Sequence, residues 1–419
     1  MKSNDKSYKW WLLAFLFVTF FLEQGTRQIY NAALPQIRTD FLANGVTDTQ
    51  LGLVGTVFSA VFGLSLVGSG LAADFFGRKR VLVLGTALFS LGVFGSGFAA
   101  GLGLMMLTYG VLNAVGQCCV APPCYSLISQ YHDRTRSVAM SIFQSAVYVG
   151  LILSSVFAGV LAEMGAGGWR WAFWLMGGAG LVWALVMQLG MRDTPQPVTS
   201  AAEKPTLKAA FAALLGKPTA VLIAVAFGMF IYAQLGLRLW LPMFMVRHFE
   251  GTGIARAAFH SVLWMNVGSL VSAVVVAKVI DRLAVRRPRI KLEVSLVAFL
   301  LCIGPVLLVA RAERLASCCV ALTLFGVTYG IYDAAHYPAM FDCVEPRYRS
   351  ATTGLTGCLA FLFGSLAPAL LGWMGERLSM RTALASLGGF YLLGALVLVP
   401  AALFFFEKDR IGIKDGVER

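Results

Sequence analysis

The sequence predicts an all-α integral membrane protein with twelve transmembrane helices, arranged as two six-helix bundles related by pseudo-symmetry. The composition supports this fold class, because 58% of the 419 residues are hydrophobic, only 13% are charged and the mean hydropathy is +0.75. The apolar residues form stretches of about 20 residues, which is the length that crosses about 30 Å of hydrocarbon. Since the ten-residue alternation of membrane barrels does not occur, these stretches are predicted to be helices.

The apolar stretches follow one another along the whole chain. The first begins after three lysines, as a signal peptide does, but it continues through Glu23 and Arg27 without a small-residue cleavage site, which predicts a retained span. The predicted helix cores are 10–37, 50–73, 81–101, 104–131, 137–163, 169–191, 218–246, 257–280, 291–312, 315–343, 350–375 and 381–406.

The basic residues are distributed unevenly between the two sides of the predicted membrane. Most of the 34 Lys and Arg residues fall in the termini and in the loops on their side, which predicts cytoplasmic N- and C-termini in a cell-membrane protein. The net charge of +13 therefore reflects topology and does not indicate nucleic-acid binding. No cofactor or metal is expected, because the eight cysteines lie in predicted helices without CxxC or Cys/His spacing.

The two halves of the chain repeat one design. Asp74 after the second span corresponds to Asp281 after the eighth, and Pro35 corresponds to Pro242, both at an offset of 207 residues. A parallel repeat of this kind places substrate near the bilayer midplane, between the halves. The predicted domains are an N-terminal bundle (1–192), a cytoplasmic linker (193–217), a C-terminal bundle (218–406) and a cytoplasmic tail (407–419).

One loop carries a family resemblance. Gly70-Leu-Ala-Ala-Asp74-Phe-Phe-Gly77-Arg78-Lys79-Arg80 fits the GxxxDxxGRKR signature of the major facilitator superfamily, and a degenerate second copy begins at Asp281. With twelve spans, the resemblance covers nearly the whole chain. It implies the major facilitator fold and a secondary active transporter that works by alternating access, not an enzyme.

The same resemblance implies gating residues at the cytoplasmic edge. In the family, such loops hold the cytoplasmic side closed through charge-assisted hydrogen bonds between an acid and arginines. Simple positive-inside anchoring is the alternative role. The implied gating residues are Asp74, Arg78, Arg134 and Arg136 in the first half, and Asp281, Arg282, Arg347 and Arg349 in the second.

Arg27 is a charged residue at bilayer depth, where a charge is costly and usually functional. The segment from Arg27 to Pro35 resembles the first span of the anion:cation symporter family and of spinster-type transporters, which implies that Arg27 binds a substrate carboxylate. Both families typically have an acid directly before the arginine, where this chain has Thr26. Glu23, one turn earlier, is placed to partner Arg27 on the same helix face.

The repeat assigns Arg27 a counterpart. Gln234 precedes Pro242 by the spacing at which Arg27 precedes Pro35, so the two side chains are expected to face each other across the cavity. Organophosphate:phosphate antiporters, which the chain also resembles, have arginine at both positions. Arginine opposite glutamine suits a carboxylate better than a phosphate. Arg238, one turn after Gln234, either joins the cavity or extends to the outer interface.

The coupling residue is left open between two candidates. The glutamate of the anion:cation symporter pattern in span four is replaced by Gln117, and the arginine seven residues before it by Gly110. The remaining intramembrane acids are Glu23 and Asp333, the latter one helical turn from His336. Glu23 is alternatively a static partner of Arg27, and His336 a hydrogen-bonded core histidine.

The sequence therefore predicts a transporter for a small organic anion, such as a sugar acid, by H⁺ or Na⁺ symport. A spinster-like transporter of lysolipids or other amphiphiles and an organophosphate exchanger are the alternatives. A monomer in the lipid bilayer is expected. The candidate substrate-binding residues are Arg27, Tyr30, Asn31, Gln117, Gln144, Tyr148, Gln234, Arg238 and His336, and the candidate coupling residues are Glu23 and Asp333.

Overall fold

The computed structural model describes residues 3–42, 45–132, 135–192, 207–284, 286–287 and 289–411, and the regular structure within these ranges is helical. Eleven of the described helices are long and apolar enough to cross a membrane. The first helix, α1 (Ser3–Leu42), is 40 residues long, which is more than the roughly 20 residues that a crossing needs. The predicted all-α membrane fold class is thereby confirmed.

The first half of the chain contains six long helices. They are α1 (Ser3–Leu42), α2 (Asp48–Phe76), α3 (Arg78–Ser96), α4 (Leu102–Tyr131), α5 (Arg136–Glu163) and α6 (Gly168–Gly190). The start of α2 is fixed by a capping box, in which Thr47 Oγ1 accepts from the Gln50 amide and the Gln50 side chain accepts from the Thr47 amide. Gly77, at φ +90°, provides the turn from α2 into α3.

The second half begins with a short helix inside the predicted linker. Residues 193–206 lie outside the described part, and α7 (Leu207–Leu215) follows them. The long helices are α8 (Pro218–His248), α9 (Ile254–Ala284), α10 (Ile290–Arg311), α11 (Leu315–Phe341), α12 (Ala351–Arg377) and α13 (Met380–Asp409).

The chain forms two compact units. One contains Met1–Val198, Leu235–Leu263 and Ser365–Met380, and the other contains Thr199–Gln234, Trp264–Gly364 and Arg381–Arg419. Helix α8 therefore contributes its first half to the second unit and its remaining half to the first. This division does not test the predicted domain boundaries, which stay a prediction.

Within the first unit, α1 packs closely along α5. A Cβ atom on Gly150 would lie 2.6 Å from the Phe21 carbonyl oxygen, so only glycine permits this approach of the two backbones. Phe20 and Phe143 stack at 4.2 Å between ring centroids nearby. This packing holds the middle of α1, which carries the charged residues, in a defined position.

Candidate functional site

The charged residues of α1 form the expected ion pair. Arg27 Nη2 donates to Glu23 Oε1 at 2.7 Å, and the side chains of Arg27 and Glu23 are 26% and 3% exposed, respectively. The i,i+4 spacing places both side chains on one helix face, as the sequence indicated. Burial makes the pairing necessary, because a carboxylate without a cation at this depth would carry the full cost of desolvation.

Gln117 of α4 holds the guanidinium from another side. Arg27 Nε donates to Gln117 Oε1 at 3.0 Å, and Gln117 Nε2 donates to Asn113 Oδ1 at 2.9 Å and to Thr26 Oγ1 at 3.3 Å. Thr26 in turn donates to the Glu23 carbonyl oxygen. The glutamine thus fixes the orientation of the arginine through a network that spans two helices.

A π-helical segment of α4, Met106–Asn113, directly precedes this contact. Such segments shift the register of the following side chains and are frequent at functional sites. From this segment Tyr109 donates its hydroxyl to the Arg27 carbonyl oxygen at 2.8 Å, and its ring packs on Tyr30 at 5.0 Å. The segment therefore ties the backbone of α1 and the amide of Gln117 to the same stretch of α4.

Two aromatic rings of α2 flank the guanidinium. The ring centroids of Phe62 and Phe58 lie 4.5 Å and 5.8 Å from Arg27 Cζ. Both rings are largely buried. Their faces attract the cation and give the site an apolar wall.

One edge of the guanidinium remains available. Nε and Nη2 each donate to a side chain, whereas Nη1 has no hydrogen-bond partner among the described residues. The Arg27 side chain is also the partly exposed member of its ion pair. This arrangement presents a fixed, oriented cation edge, which is suited to an oxyanion.

The other predicted residues of the first half lie in different surroundings. Tyr30 is buried and donates its hydroxyl to the Leu51 carbonyl oxygen at 2.8 Å, so that group is engaged with the backbone. Asn31 donates to Gln28 Oε1 at 3.2 Å, Gln144 is exposed and accepts from the Tyr125 hydroxyl, and Tyr148 is half-buried. Of the predicted substrate residues in this half, Gln117 forms a hydrogen bond with the Arg27 guanidinium.

The predicted residues of the second half divide between the units. Gln234, buried, belongs to the second unit, and Arg238, half-buried, belongs to the first. His336 is buried in the second unit, where its ring stacks on Tyr332 at 4.9 Å. Asp333, one turn away on α11, is exposed.

The predicted cytoplasmic gating residues are described only in part. Arg78 donates to Gln130 at 2.5 Å, Arg136 donates to the Ser129 carbonyl oxygen at 3.0 Å, and Arg349 donates to the Phe341 carbonyl oxygen at 2.9 Å. Arg282 is exposed. Arg134 and the side chains of Asp74, Asp281 and Arg347 lie outside the described residues. The two gating clusters therefore stay a prediction.

A different charged cluster, which the sequence did not reveal, lies at the start of α2. Asp48 is 4% exposed and accepts from Arg38 Nε at 2.5 Å and from Arg247 at 2.9 Å and 3.2 Å. Arg247 comes from the end of α8, so the cluster joins both halves of the sequence within the first unit. Beside it, Glu376 accepts from the Thr49 amide and hydroxyl, each at 2.8 Å.

A second group of contacts joins α5 to the start of α9 in the same unit. Glu163 accepts from the Ala255 amide at 3.0 Å, which satisfies a free donor at the N-terminus of α9. Ser155 donates to the Ala258 carbonyl oxygen at 2.8 Å. Segments from the two sequence halves are thus hydrogen-bonded to each other at several points.

Comparisons with known proteins agree with the helical membrane fold described above. A family model described as Major Facilitator Superfamily matches residues 16–310. The chain is similar to the hexuronate transporter of Bacillus subtilis (strain 168), at 24% identity over 97% of this chain and 96% of that protein. It is 30% identical to protein spinster homolog 1 of Homo sapiens, over 51% of this chain and 41% of that protein.

A solved structure shares the fold. A bacterial homolog to the human lysosomal transporter Spinster, in an inward-facing and unoccupied conformation, matches with a TM-score of 0.82. The match covers 99% of this chain and 100% of that chain, at 19% sequence identity. The resemblances that the sequence indicated are confirmed by these comparisons.

Proposed function

This chain belongs to the major facilitator superfamily, and we propose that it moves a small organic anion across the membrane by alternating access, with Arg27 as the substrate anchor. The relatives are transporters and not enzymes, so the prediction of a non-enzymatic, multi-pass membrane transporter is confirmed. The proposed substrate is a carboxylate, with a sugar acid as the first candidate. The proposed coupling is cation symport.

The available edge of the Arg27 guanidinium carries the proposal. Two of its three nitrogen atoms are held by Glu23 and Gln117, and Nη1 is left without a partner among the described residues. A carboxylate that meets this edge forms charge-assisted hydrogen bonds with a group already oriented for it, so little side-chain entropy is lost. Phe58 and Phe62 provide an apolar surface for the carbon skeleton of the acid.

The charges of the network favour a monoanion. Glu23 and Arg27 cancel each other, and Gln117 adds no charge. A bound monocarboxylate leaves one uncompensated negative charge, which a single proton on Glu23 or a single Na⁺ neutralises. A phosphate dianion would leave a further negative charge in a partly buried site, which is costly. This balance supports symport of one cation with one carboxylate.

The name of one relative that matches nearly the whole chain gives a first compound to test. That relative is a hexuronate transporter, and a hexuronate combines one carboxylate with several hydroxyl groups. We therefore propose a hexuronate or a similar hydroxylated acid as the substrate class. A cell-membrane location, cytoplasmic termini and a monomeric state belong to the same proposal.

Thermal unfolding of the purified protein tests the substrate class. Glucuronate is expected to raise the unfolding midpoint of the wild type, because a ligand that binds only the folded state stabilises it. The effect is expected to vanish in Arg27→Gln and to persist in Arg311→Gln, which removes an exposed arginine at the end of α10.

The same measurement distinguishes the alternatives. Stabilisation by a lysolipid alone, retained in Arg27→Gln, would favour a spinster-like lipid transporter. The similarity to spinster homolog 1 supports this alternative. Stabilisation by glucose 6-phosphate alone would favour an organophosphate exchanger. Either result would contradict the carboxylate proposal.

The Asp48 cluster is proposed to take part in alternating access. It joins α1 and α2 to the end of α8 through a buried carboxylate and two arginines. Its residues come from both sequence halves, which move relative to each other when such a transporter changes access. We propose that these contacts close one end of the transport pathway and break when that end opens.

A further inference from the structure

A row of polar side chains lies beside the ion pair of Arg27 and Glu23 in the first unit. Gln24 is half-buried and donates from Nε2 to Glu23 Oε2 at 2.6 Å. Both oxygen atoms of the carboxylate therefore accept hydrogen bonds, Oε1 from Arg27 and Oε2 from Gln24. Because Gln24 Oε1 has no hydrogen-bond partner among the described residues, the row contains an open acceptor beside the ion pair.

Tyr125 of α4 and Gln144 of α5 continue this row. The Tyr125 hydroxyl donates to Gln144 Oε1 at 3.2 Å, and both side chains are exposed, with an exposed fraction of 39% for Tyr125. The charge of Glu23 interacts electrostatically with Tyr125, so the pair lies in the neighbourhood of that carboxylate. The Gln144 amide nitrogen has no hydrogen-bond partner in the described part of the chain, which leaves an open donor.

Aromatic packing holds Tyr125 in position. Its ring packs edge-on against Phe143 at 5.5 Å between centroids, and Phe143 stacks on Phe20 of α1 at 4.2 Å. Phe20, Gln24 and Arg27 recur at i, i+4 and i+7, so they share one face of α1. The Tyr125 ring is thereby held on the side of α1 that carries Gln24 and Arg27.

Exposed polar groups within membrane-spanning helices indicate contact with water. Tyr125 and Gln144 lie within α4 and α5, which are long and apolar enough to cross a membrane. In hydrocarbon, an amide or hydroxyl without hydrogen bonds is costly, so such side chains face the bundle interior or a water-filled cavity. The exposed pair is therefore placed where a dissolved substrate meets it.

The open donor and acceptor of this row match a hydroxylated ligand. A hydroxyl group both donates and accepts hydrogen bonds, and the row presents an acceptor at Gln24 and a donor at Gln144. An alkyl chain makes neither contact and would leave both amides unpaired once it displaced water. The arrangement therefore favours a polyhydroxylated acid over an apolar one.

We propose that Gln24, Tyr125 and Gln144 form a hydroxyl-binding subsite, which selects hydroxylated acids over plain carboxylates of the same chain length. The inference rests on the proposed function, because it takes Arg27 as the group that binds the carboxylate. A Tyr125–Gln144 hydrogen bond that only braced α4 against α5 would affect the binding of all acids alike. A subsite affects the hydroxylated acids alone.

Displacement of labelled glucuronate from the purified protein measures this selectivity. Competition gives the dissociation constants of glucuronate and of hexanoate, which has the same chain length but no hydroxyl groups. In Tyr125→Phe, which keeps the ring against Phe143, glucuronate is expected to bind about fivefold more weakly, whereas hexanoate binding is unchanged. The change is modest because water reaches the exposed hydroxyl in the free protein.

Two further variants complete the experiment. Gln144→Leu, at an exposed position, is expected to weaken glucuronate binding in the same direction, again without an effect on hexanoate. Tyr131→Phe is the matched control, because it removes a hydroxyl at the end of the same helix as Tyr125, where the ring packs on Tyr8. It is expected to bind both acids as the wild type does.

Two results would overturn the subsite while leaving Arg27 as the anchor. One is a preference for glucuronate over hexanoate that is absent from the wild type or unchanged in both subsite variants. The other is an equal weakening of both acids in Tyr125→Phe, as a structural brace would give. Wild-type protein that binds neither acid would instead contradict the proposed function, and the subsite with it.

Discussion

At the scale of single residues, the position of Arg27 is explained by the roles of its three nitrogen atoms. Nη2 neutralises Glu23, Nε is oriented by Gln117, and Nη1, which has no partner among the described residues, is the donor that we propose for the substrate. A charge at bilayer depth costs about 2.5–3.5 kcal/mol even on the lowest scale. The ion pair and the aromatic contacts offset this cost while leaving one edge available, which is what an anchor for an anion requires.

The variant Glu23→Gln distinguishes substrate binding at Arg27 from cation coupling at Glu23. Because glutamine keeps a hydrogen-bond acceptor for Arg27 but binds no proton, exchange of labelled substrate is expected to continue while the accumulation ratio falls to about one. Exchange of labelled substrate and its accumulation ratio are both measured in proteoliposomes, the latter with an imposed pH or Na⁺ gradient. Accumulation equal to that of the wild type would assign coupling elsewhere, with Asp333 and His336 as the next candidates.

The residues of the site were predictable to different degrees. The partnership of Glu23 with Arg27 followed from i,i+4 spacing, which is a local property of a helix. The contacts of Asn113 and Phe62 were not predictable, because they depend on how α2 and α4 pack on α1. The π-helical segment before Gln117 has no sequence signal of its own.

At the scale of elements, the start of α2 acts as a junction. Its capping box fixes the first turn, and Asp48 within that turn binds arginines from α1 and α8. A carboxylate in this position also interacts favourably with the helix N-terminus. The junction was not predictable from the sequence, since Arg247 is distant from Asp48 in the chain.

Asp48→Asn tests this junction. The asparagine keeps the size of the side chain but loses the charge, and hydrogen bonds to charged groups contribute about 1.5–3 kcal/mol. Amide hydrogen exchange at the start of α2 is expected to accelerate about tenfold or more. Asp342→Asn, which removes the partner of Lys291 in the second unit, is the matched control. Unchanged exchange at α2 in Asp48→Asn would contradict the role of the cluster.

His132, which lies between α4 and α5, contacts the first part of α1. Its Nε2 donates to the Lys9 carbonyl oxygen at 3.0 Å, its Nδ1 meets Thr135 Oγ1 at 2.9 Å, and Trp10 packs edge-on against the ring. Burial, together with the nearby Lys9 charge, lowers the pKa of His132 below its usual value of 6.5. The folded protein therefore favours the neutral ring.

This shift predicts a pH dependence of stability. A lowered folded-state pKa means that the stabilisation is complete above pH 6.5 and is lost as the pH falls through the folded-state pKa. The unfolding midpoint of the wild type is expected to fall relative to that of His132→Gln between pH 7 and pH 5. Parallel curves for the two proteins would contradict the prediction.

At the scale of the whole molecule, the sequence predicted the architecture well, because lipid leaves few options. Backbone groups in hydrocarbon must bond within a helix, so apolar stretches of membrane length become helices. The loop around Asp74 and Gly77 identified the family. The assignment of parts of α8 and α12 to the first compact unit was not predictable, because it depends on which ends of the helices are in contact.

We propose that Arg27 anchors a carboxylate during transport, and uptake of a hexuronate into proteoliposomes tests this role. Wild-type protein and Arg311→Gln are expected to accumulate labelled glucuronate when a cation gradient is imposed. Arg27→Gln is expected to lower uptake at least about tenfold, since it removes a charge-assisted contact of about 1.5–3 kcal/mol. Uptake by Arg27→Gln at the wild-type rate would contradict the anchoring role of Arg27.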